Sequence, residues 1–273
     1  MSGNLVCVGT GMTLGAHISP IATSYIAQAD VVFSLMSTGI TERWLDEMHT
    51  DVRSLQYCYQ EGKNRNITYN EMVEAILTEV RTGKKVVAAF YGHSGVFACV
   101  AHRAIKKAKD EKLPAHMEAG ISAEDCLYAD LAIDPGKTGC INYEASQFMF
   151  YQRNIDPAAH LILWQIGLAG DKSLAKFSTG KAYRQVLVDL LLETYPADHQ
   201  VILYQAKVLP IDTVRDEHIA LIDLIDAELF MHTTLVIPPS EEMQPNEKVL
   251  AKLAAIDKQE LNAKNRPELT LVL

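Results

Sequence analysis

Leu5-Val6-Cys7-Val8-Gly9-Thr10-Gly11 is the stretch on which the fold turns: a short apolar run that ends abruptly in a glycine-flanked turn. Apolar residues in an unbroken run of this length read as a strand buried on both faces, the kind found inside a parallel sheet. The same pattern recurs downstream. Short apolar runs alternate with longer 3.6-period segments, which predicts α/β layering around a largely parallel sheet. Strands are expected at Leu5–Val8, Val31–Leu35, Leu55–Tyr59, Lys85–Tyr91, Ala115–Glu118, Leu161–Ile166 and Val201–Tyr204, then from Thr213 through Leu224, and at Thr234–Ile237 before Pro238-Pro239. Helices are expected at Ile18–Gln28, Thr41–Met48, from Thr68 or Tyr69 to Gly83, and at Phe97–Lys109, Ser122–Ala129, Tyr183–Tyr195 and Val249–Leu261. The segment around Tyr143–Phe150 carries no clear periodicity, and residues 262–273 lack helical spacing.

At 273 residues the chain accommodates two domains and a sizeable core. With 48% hydrophobic and 22% charged residues it matches a globular protein. A net charge of −9, from 25 basic against 34 acidic residues, argues against a nucleic-acid surface, because such surfaces are built from basic groups that displace counterions. The five cysteines are scattered without a C-x-x-C pair and read as reduced thiols, with no metal site expected. The start lacks a basic segment followed by a long apolar run, and no window approaches the roughly 20 apolar residues of a spanning helix. A cytoplasmic location without membrane contact is therefore expected.

Gly9-x-Gly11-x-x-x-Gly15 after the first strand invites a phosphate-binding reading, since glycines let backbone amides approach an anion. The spacing is not G-x-G-x-x-G, no acidic residue closes the second strand, and no G-x-x-x-x-G-K-[ST] loop exists. A tight turn or a site for another ligand remains. A second concentration, Tyr91-Gly92-His93-Ser94-Gly95-Val96-Phe97, lies where a buried strand meets a helix, a position at which α/β proteins bind ligands. A turn with a capping histidine and a core phenylalanine would look the same. The third is Tyr57-x-Tyr59, Arg65 and Tyr69. A guanidinium beside a phenol favours phenolate and hence proton transfer, and the alternative is a loop with ordinary aromatic anchors. The histidines lack metal spacing, His93 and His102 read as cap or surface residues, Ser122 lacks a nucleophile elbow, and Lys106-Lys107-x-Lys109 reads as a solvated helix face.

Taken in order, VCVGTGMTL (6–14), ADVVFSL (29–35), FYGHSGVF (90–97), AGISAEDCLYADLAIDP (119–135), NYEASQF (142–148), LILWQIG (161–167), VILYQA (201–206) and TTLVIPP (233–239) resemble the tetrapyrrole methylase superfamily. Within it, these motifs together with QYCYQEGKNRNITY (56–69) resemble the borosin peptide-backbone α-N-methyltransferases. The resemblance covers about Leu5 to Pro239. It implies an α/β, tetrapyrrole-methylase-like fold of two αβα domains with the cofactor cleft between them, plus a short C-terminal helix. The expected division is 1–119, 120–240 and a helix and tail over 241–273. It implies S-adenosyl-L-methionine as cofactor, contacted by Tyr91, His93, Val96, Phe97, Ser122, Ala123, Gln165, Tyr204, Ala206 and Thr234. Its catalytic tyrosines and arginine carry over to Tyr59, Arg65 and Tyr69, with Arg65 expected to lower a phenol's pKa or to stabilise an imidate-like oxygen.

Two positions depart from the family pattern. Ser94 and Ala119 stand where many members have proline, giving YGHSG and AGISA. Lost proline raises loop entropy, so weaker preorganisation of the cofactor loops is expected. Fused borosins also carry a long C-terminal extension ending in their own substrate core, whereas this chain runs 34 residues past Pro239. Beyond a helix at Val249–Leu261, 12 extended residues reach roughly 40 Å, a short arm for self-methylation. The expectation is a split system acting iteratively, in trans, on a separate ribosomally made precursor peptide. A homodimer binding two such peptides, a heterotetramer, follows from the resemblance. The competing readings are methylation of a tetrapyrrole or another small substrate, and a non-catalytic peptide-binding homologue.

Overall fold

The computed structural model describes residues 3–264, with side chains through residue 261. They fall into two compact units that divide between Ser240 and Glu241.

The first sheet uses β1 (Asn4–Gly9), β2 (Val31–Leu35), β3 (Val52–Ser54), β4 (Lys85–Phe90) and β5 (Ala115–Met117) in the order β3-β2-β4-β1-β5. Every pairing in it is parallel. Alternate residues of the apolar runs serve opposite faces, as the two-residue strand period demands. Leu5, Cys7, Val86, Ala88 and Phe90 pack under α3 (Arg65–Arg81) and α4 (Cys99–Asp110). Val6, Val8, Val87 and Ala89 pack against α1 (Pro20–Gln28) and α2 (Gly39–Asp46). Both faces are covered, which is why these strands read as continuous hydrophobic runs.

The second sheet holds β6 (Cys140–Glu144), β7 (His160–Trp164), β8 (Gln200–Gln205), β9 (Arg215–Ala220) and β10 (Thr234–Ile237) in the order β6-β7-β10-β8-β9. Here the expected parallel arrangement gives way: only β6–β7 is parallel, and β10 runs antiparallel to both β7 and β8, as β9 does to β8. Leu161, Leu163, Val201, Leu203, Leu235 and Ile237 line one core with α7 (Ala145–Phe150) and α8 (Lys181–Leu192). Ile162, Trp164, Ile202, Tyr204 and Val236 line the other against Leu127 of α5 (Ala123–Asp130). A one-turn α6 (Pro135–Thr138), capped by Asp134, precedes β6 and was not foreseen.

Several expected boundaries shift for local reasons. Leu55–Tyr59 is not a strand: the Ser54 hydroxyl accepts the Gln56 N–H at 3.1 Å and the chain winds into a 3-10 turn over Gln56–Cys58. The helix expected from Thr68 or Tyr69 begins at Arg65, because the Asn64 side chain caps it by accepting the Asn66 N–H. The strand expected through Leu224 ends at Ala220, and Leu221–Ile225 forms another 3-10 turn.

The second unit carries α9 (Glu247–Lys264), with Val249, Leu250, Leu253, Ile256 and Leu261 as its larger apolar residues. Its helix continues past the expected end through residue 264, and residues 265–273, which hold most of the expected irregular tail, lie outside the described residues. Among the described residues no helix is long and apolar enough to cross a membrane.

Candidate active site

The carboxyl ends of β1 and β4 lie side by side, and the turns leaving them interlock with the turn that enters α5. A Cβ on Gly9 would fall 2.4 Å from the Gly92 carbonyl oxygen and 3.1 Å from the Gly120 Cα; one on Gly120 would fall 2.9 Å from the Gly9 Cα. The Gly11 N–H donates to the Gly92 carbonyl at 3.0 Å, and the Gly92 N–H to the Gly11 carbonyl at 2.9 Å. Of the glycines in the opening motif, Gly9 is needed for backbone-to-backbone approach, Gly11 for a left-handed φ of 77° and room beside His17, and Gly15 for a left-handed φ of 70° alone. This is why they match no phosphate fingerprint.

The loop after β4 is held by side chains. His93 Nδ1 accepts the Gly95 N–H at 2.8 Å, and His102 Nε2 from α4 meets the Gly95 carbonyl at 2.8 Å. Both histidines thus serve one glycine. Ser94 is fully buried, and its hydroxyl donates to the Glu118 carbonyl at 3.2 Å. That bond ties the loop to the residue after β5. Val96 donates its N–H back to the His93 carbonyl. Phe97 takes a left-handed φ of 51°, and its ring, 49% exposed, tilts onto Trp164 with centroids 5.3 Å apart. Trp164 is anchored in turn by its indole N–H on Asn142 at 2.9 Å.

Gln165 directly follows Trp164 and is also left-handed, with φ 59°. The next residue, Ile166, donates its N–H to the Thr233 carbonyl, and Gln205 donates its side-chain amide to the Thr233 hydroxyl at 2.7 Å. Thr234 pairs with Tyr204 across β10 and β8. The Tyr204 hydroxyl is committed to Asp130 at 2.7 Å, so what Tyr204 can offer a ligand is its backbone. Ser122 is likewise committed, capping α5 in a reciprocal pair with Asp125, with Ala123 as the first helical residue. Beside Ala206 opens a cleft of about 510 Å3 whose walls include Gln205, Lys207, Arg215 and His232. The Leu14 N–H reaches the Val208 carbonyl at 2.8 Å, joining the first glycine turn to the loop after β8.

Tyr59, Tyr69, Tyr91 and Cys99 form one cluster, with Arg65 one helical turn before Tyr69 on α3. Burial pushes the Tyr59 phenol well above its ordinary value, and Tyr69 and Tyr91 add to the rise. Burial also raises Tyr69, and Cys99 adds to it, while Arg65 and a hydrogen-bond coupling to Tyr59 pull it back. The net shift is upward for both. Arg65 therefore acts on Tyr69 in the expected direction, but desolvation outweighs it.

Reading the sequence did not find the partners of this cluster. Arg103 lies over the Tyr69 ring at 5.6 Å and is fixed by Asn66 at 2.6 Å and Asn70 at 3.1 Å. The Arg65 guanidinium bonds the Lys176 carbonyl and stands 3.8 Å from Asp171. An Asp171-x-Ser173 turn signature is present there and was not singled out.

Residues 4–213 match the family of Tetrapyrrole (Corrin/Porphyrin) Methylases. The chain is 39% identical over 258 residues to a methyltransferase/ribosomally synthesized cyclic peptide gymnopeptides precursor from Gymnopus fusipes, covering 92% of this chain and 61% of that one. It is 38% identical over 259 residues to the corresponding omphalotin A precursor from Omphalotus olearius, with the same coverage of each. A type I borosin cyclic peptide precursor from Coprinopsis marcescibilis is 41% identical over 211 residues, covering 77% of this chain and 54% of its own. The chain thus spans about three-fifths or less of the length of these relatives. Among solved structures, uroporphyrin-III-C-methyltransferase from Thermus thermophilus superposes with a TM-score of 0.61 at 16% identity, covering 88% of this chain and 93% of that one. A cobalt precorrin-4 methyltransferase gives 0.60 at 15% identity, covering 86% and 94%.

Proposed function

The chain belongs to the tetrapyrrole methylase family, and from that premise we propose that it is an S-adenosylmethionine-dependent methyltransferase acting repeatedly on backbone amides of a ribosomally made precursor peptide. The observation that carries this reading is the joint placement of Tyr59, Arg65 and Tyr69 beside the Tyr91 loop, in a chain whose relatives are named as methyltransferase and cyclic-peptide precursor together. The solved neighbours share the fold at 15–16% identity and favour no tetrapyrrole substrate for this chain.

The residues present fit the cofactor. Phe97 offers an exposed ring, Tyr91 is part-exposed with its phenol end buried deeply enough to raise its pKa, and the Gln165 side-chain amide makes no hydrogen bond to protein among the described residues. Ala206, the residue after β8, lines the cleft, and Thr234 opens β10 opposite Tyr204. His93, Val96, Ser122, Ala123 and Tyr204 would contribute mainly through the backbone they fix. Bound there, S-adenosylmethionine would supply an electrophilic sulfonium methyl group. In this reading 1–119 and 120–240 are the two domains, followed by a C-terminal helix and tail over 241–273.

A peptide nitrogen is a poor nucleophile because its lone pair is delocalised into the carbonyl. The protein must hold the amide in line and take its proton as the new N–C bond forms. Tyr69 is assigned as the acceptor, since Arg65 and Tyr59 both favour its phenolate, whereas the neighbours of Tyr59 disfavour ionisation there. The Arg65 N–H groups stabilise negative charge growing on the amide oxygen. Tyr59 packs edge to face on Tyr69 and so restrains the orientation of its ring.

The substrate is taken in trans, by a homodimer that binds two precursor peptides. Incubation with the cofactor and a candidate precursor, followed by fragmentation mass spectrometry, should place methyl groups on backbone nitrogens. Methylation confined to side chains, or none, overturns the reading. Intact mass after incubation with cofactor alone should be unchanged; methyl increments on the protein itself would overturn the trans assignment.

A further inference from the structure

The loop between Asp171 and Lys176 is wound around one carboxylate. Asp171 is 3% exposed. Its Oδ1 accepts the Ser173 N–H at 3.0 Å and the Ser173 hydroxyl at 2.5 Å, and its Oδ2 accepts the N–H groups of Ala175 and Lys176, each at 3.0 Å. Leu174 is forced to a left-handed φ of 53°. Four donors compensate the desolvation of the buried charge.

The winding turns four successive carbonyls toward one segment of the other half of the fold. The Ser173 carbonyl accepts the Asn64 side-chain amide at 2.9 Å, the Leu174 carbonyl accepts the Arg65 N–H at 2.8 Å, and the Ala175 carbonyl accepts the Gly62 N–H at 3.0 Å. The Lys176 carbonyl accepts the Arg65 guanidinium, which also stands 3.8 Å from Asp171 Oδ2. Every carbonyl from Ser173 to Lys176 is therefore spent on Gly62, Asn64 and Arg65. The loop adds little to the core, since its Leu174 and the following Phe177 are each 36% exposed.

We propose that Asp171 is a positioning residue for the methyl transfer: it shapes the 171–176 loop into a docking edge that fixes Arg65 and, one helical turn on, Tyr69. This rests on the reading of Arg65 and Tyr69 as the groups that meet the substrate amide. The effect runs through geometry. A guanidinium held by a carbonyl and a carboxylate on one side presents its remaining N–H groups in one direction, and small misplacements of such groups are costly in rate.

The test compares wild type, Asp171→Asn, Arg65→Ala and the double variant in two measurements. The first is amide hydrogen exchange on the protein alone. Asp171→Asn should speed exchange at Gly62 and Arg65 by at least about 10-fold more than at amides of β4 and β8, whose exchange reports only the global loss of stability. The second is single-turnover methylation of a precursor peptide. Asp171→Asn should slow the chemical step by about 100-fold, with peptide and cofactor affinity within about twofold, and the double variant should be no slower than Arg65→Ala. Unchanged exchange at Gly62 and Arg65, or losses that multiply in the double variant, overturns the proposal. If wild type itself leaves peptide nitrogens unmethylated, the functional reading fails, and the exchange measurement still decides whether Asp171 fixes Arg65. Should Asp171→Asn not fold, Ser173→Ala removes the hydroxyl donor from the same carboxylate and leaves the backbone N–H in place; it should raise exchange at the same two amides, and no rise overturns the proposal.

Discussion

Tyr59 and Tyr69 meet edge to face, with ring centroids 6.4 Å apart and ring planes at 88°. The arrangement makes two phenols of the same chemistry unequal. Coupling to its partner raises Tyr59 and lowers Tyr69, and Arg65 adds to the second effect alone. Burial still leaves Tyr69 above the ordinary tyrosine value, so the phenolate is a minority form at neutral pH and its share grows as pH rises.

The inequality predicts different phenotypes. Tyr69→Phe should cut kcat by about 100-fold or more, the span of a lost proton acceptor. Tyr59→Phe should retain more activity but move the rising limb of the kcat/KM profile to higher pH, because a group that lowers the Tyr69 pKa is gone. Arg65→Ala should shift the limb the same way. Rates of backbone methylation measured from about pH 7 to pH 10 separate these outcomes, and equal effects of the two phenylalanine variants would sink the assignment of Tyr69.

Gly9→Ala should be severe although it adds one methyl group. That Cβ would sit 2.4 Å from a backbone carbonyl and 3.1 Å from the Gly120 Cα, atoms that no side-chain rotation can clear. A loss of about 1–3 kcal/mol is expected. It should come with weakened cofactor binding, because the three turns meeting there can no longer close. Denaturant unfolding and calorimetric titration check both halves, and a stable variant with native affinity would contradict the interlocked-glycine account.

Most of the first half of the fold was legible because its apolar runs act locally, the strand expected at Leu55–Tyr59 and found instead at Val52–Ser54 being the exception. Val31–Leu35 was read without error, and the helices expected from Ile18 and Thr41 begin two residues away, at Pro20 and Gly39. Strand direction in the second sheet was not. Leu161–Trp164, Val201–Tyr204 and Thr234–Ile237 are buried on both faces, and an unbroken apolar run carries no sign of which way its neighbour points. The site divides in the same way. Tyr59, Arg65 and Tyr69 lie in one short segment and could be singled out, but the Lys176 carbonyl that holds Arg65 is 111 residues away along the chain. Only tertiary packing makes that pair.

Asp171 should give the protein a measurable acid sensitivity. Burial works to raise its pKa, but the Ser173 hydroxyl and the N–H groups of Lys176, Ser173 and Ala175 win, and the folded value lies below the ordinary one. A carboxylate depressed in the folded state stabilises it fully above its unfolded pKa of about 3.9, and this contribution is lost as pH falls through the folded value. Asp171→Asn should therefore be less stable than wild type from neutral pH down to about pH 5, with the gap closing below about pH 4. Unfolding curves across that range test it; a gap that stayed constant into acid would assign the loss to packing.

Phe97 offers a way to separate folding from ligand binding at one residue. Its left-handed φ of 51° costs an L-residue about 1 kcal/mol, and its ring is 49% exposed, so the fold gains little from keeping it. Phe97→Gly relieves the backbone and loses the contact with Trp164 at 5.3 Å, and these oppose each other, leaving stability within about 1 kcal/mol of wild type. Phe97→Ala loses the ring and keeps the strain, so it should be the less stable of the two by about 1 kcal/mol. If the ring is a wall of the cofactor site, both variants should bind S-adenosylmethionine at least about 10-fold more weakly, a difference of about 1.4 kcal/mol. Denaturant unfolding orders the stabilities and calorimetry gives the affinities. Native affinity in both variants would mean that the strained conformation serves something other than the cofactor, and a large loss of stability in Phe97→Gly would mean that the ring belongs to the core.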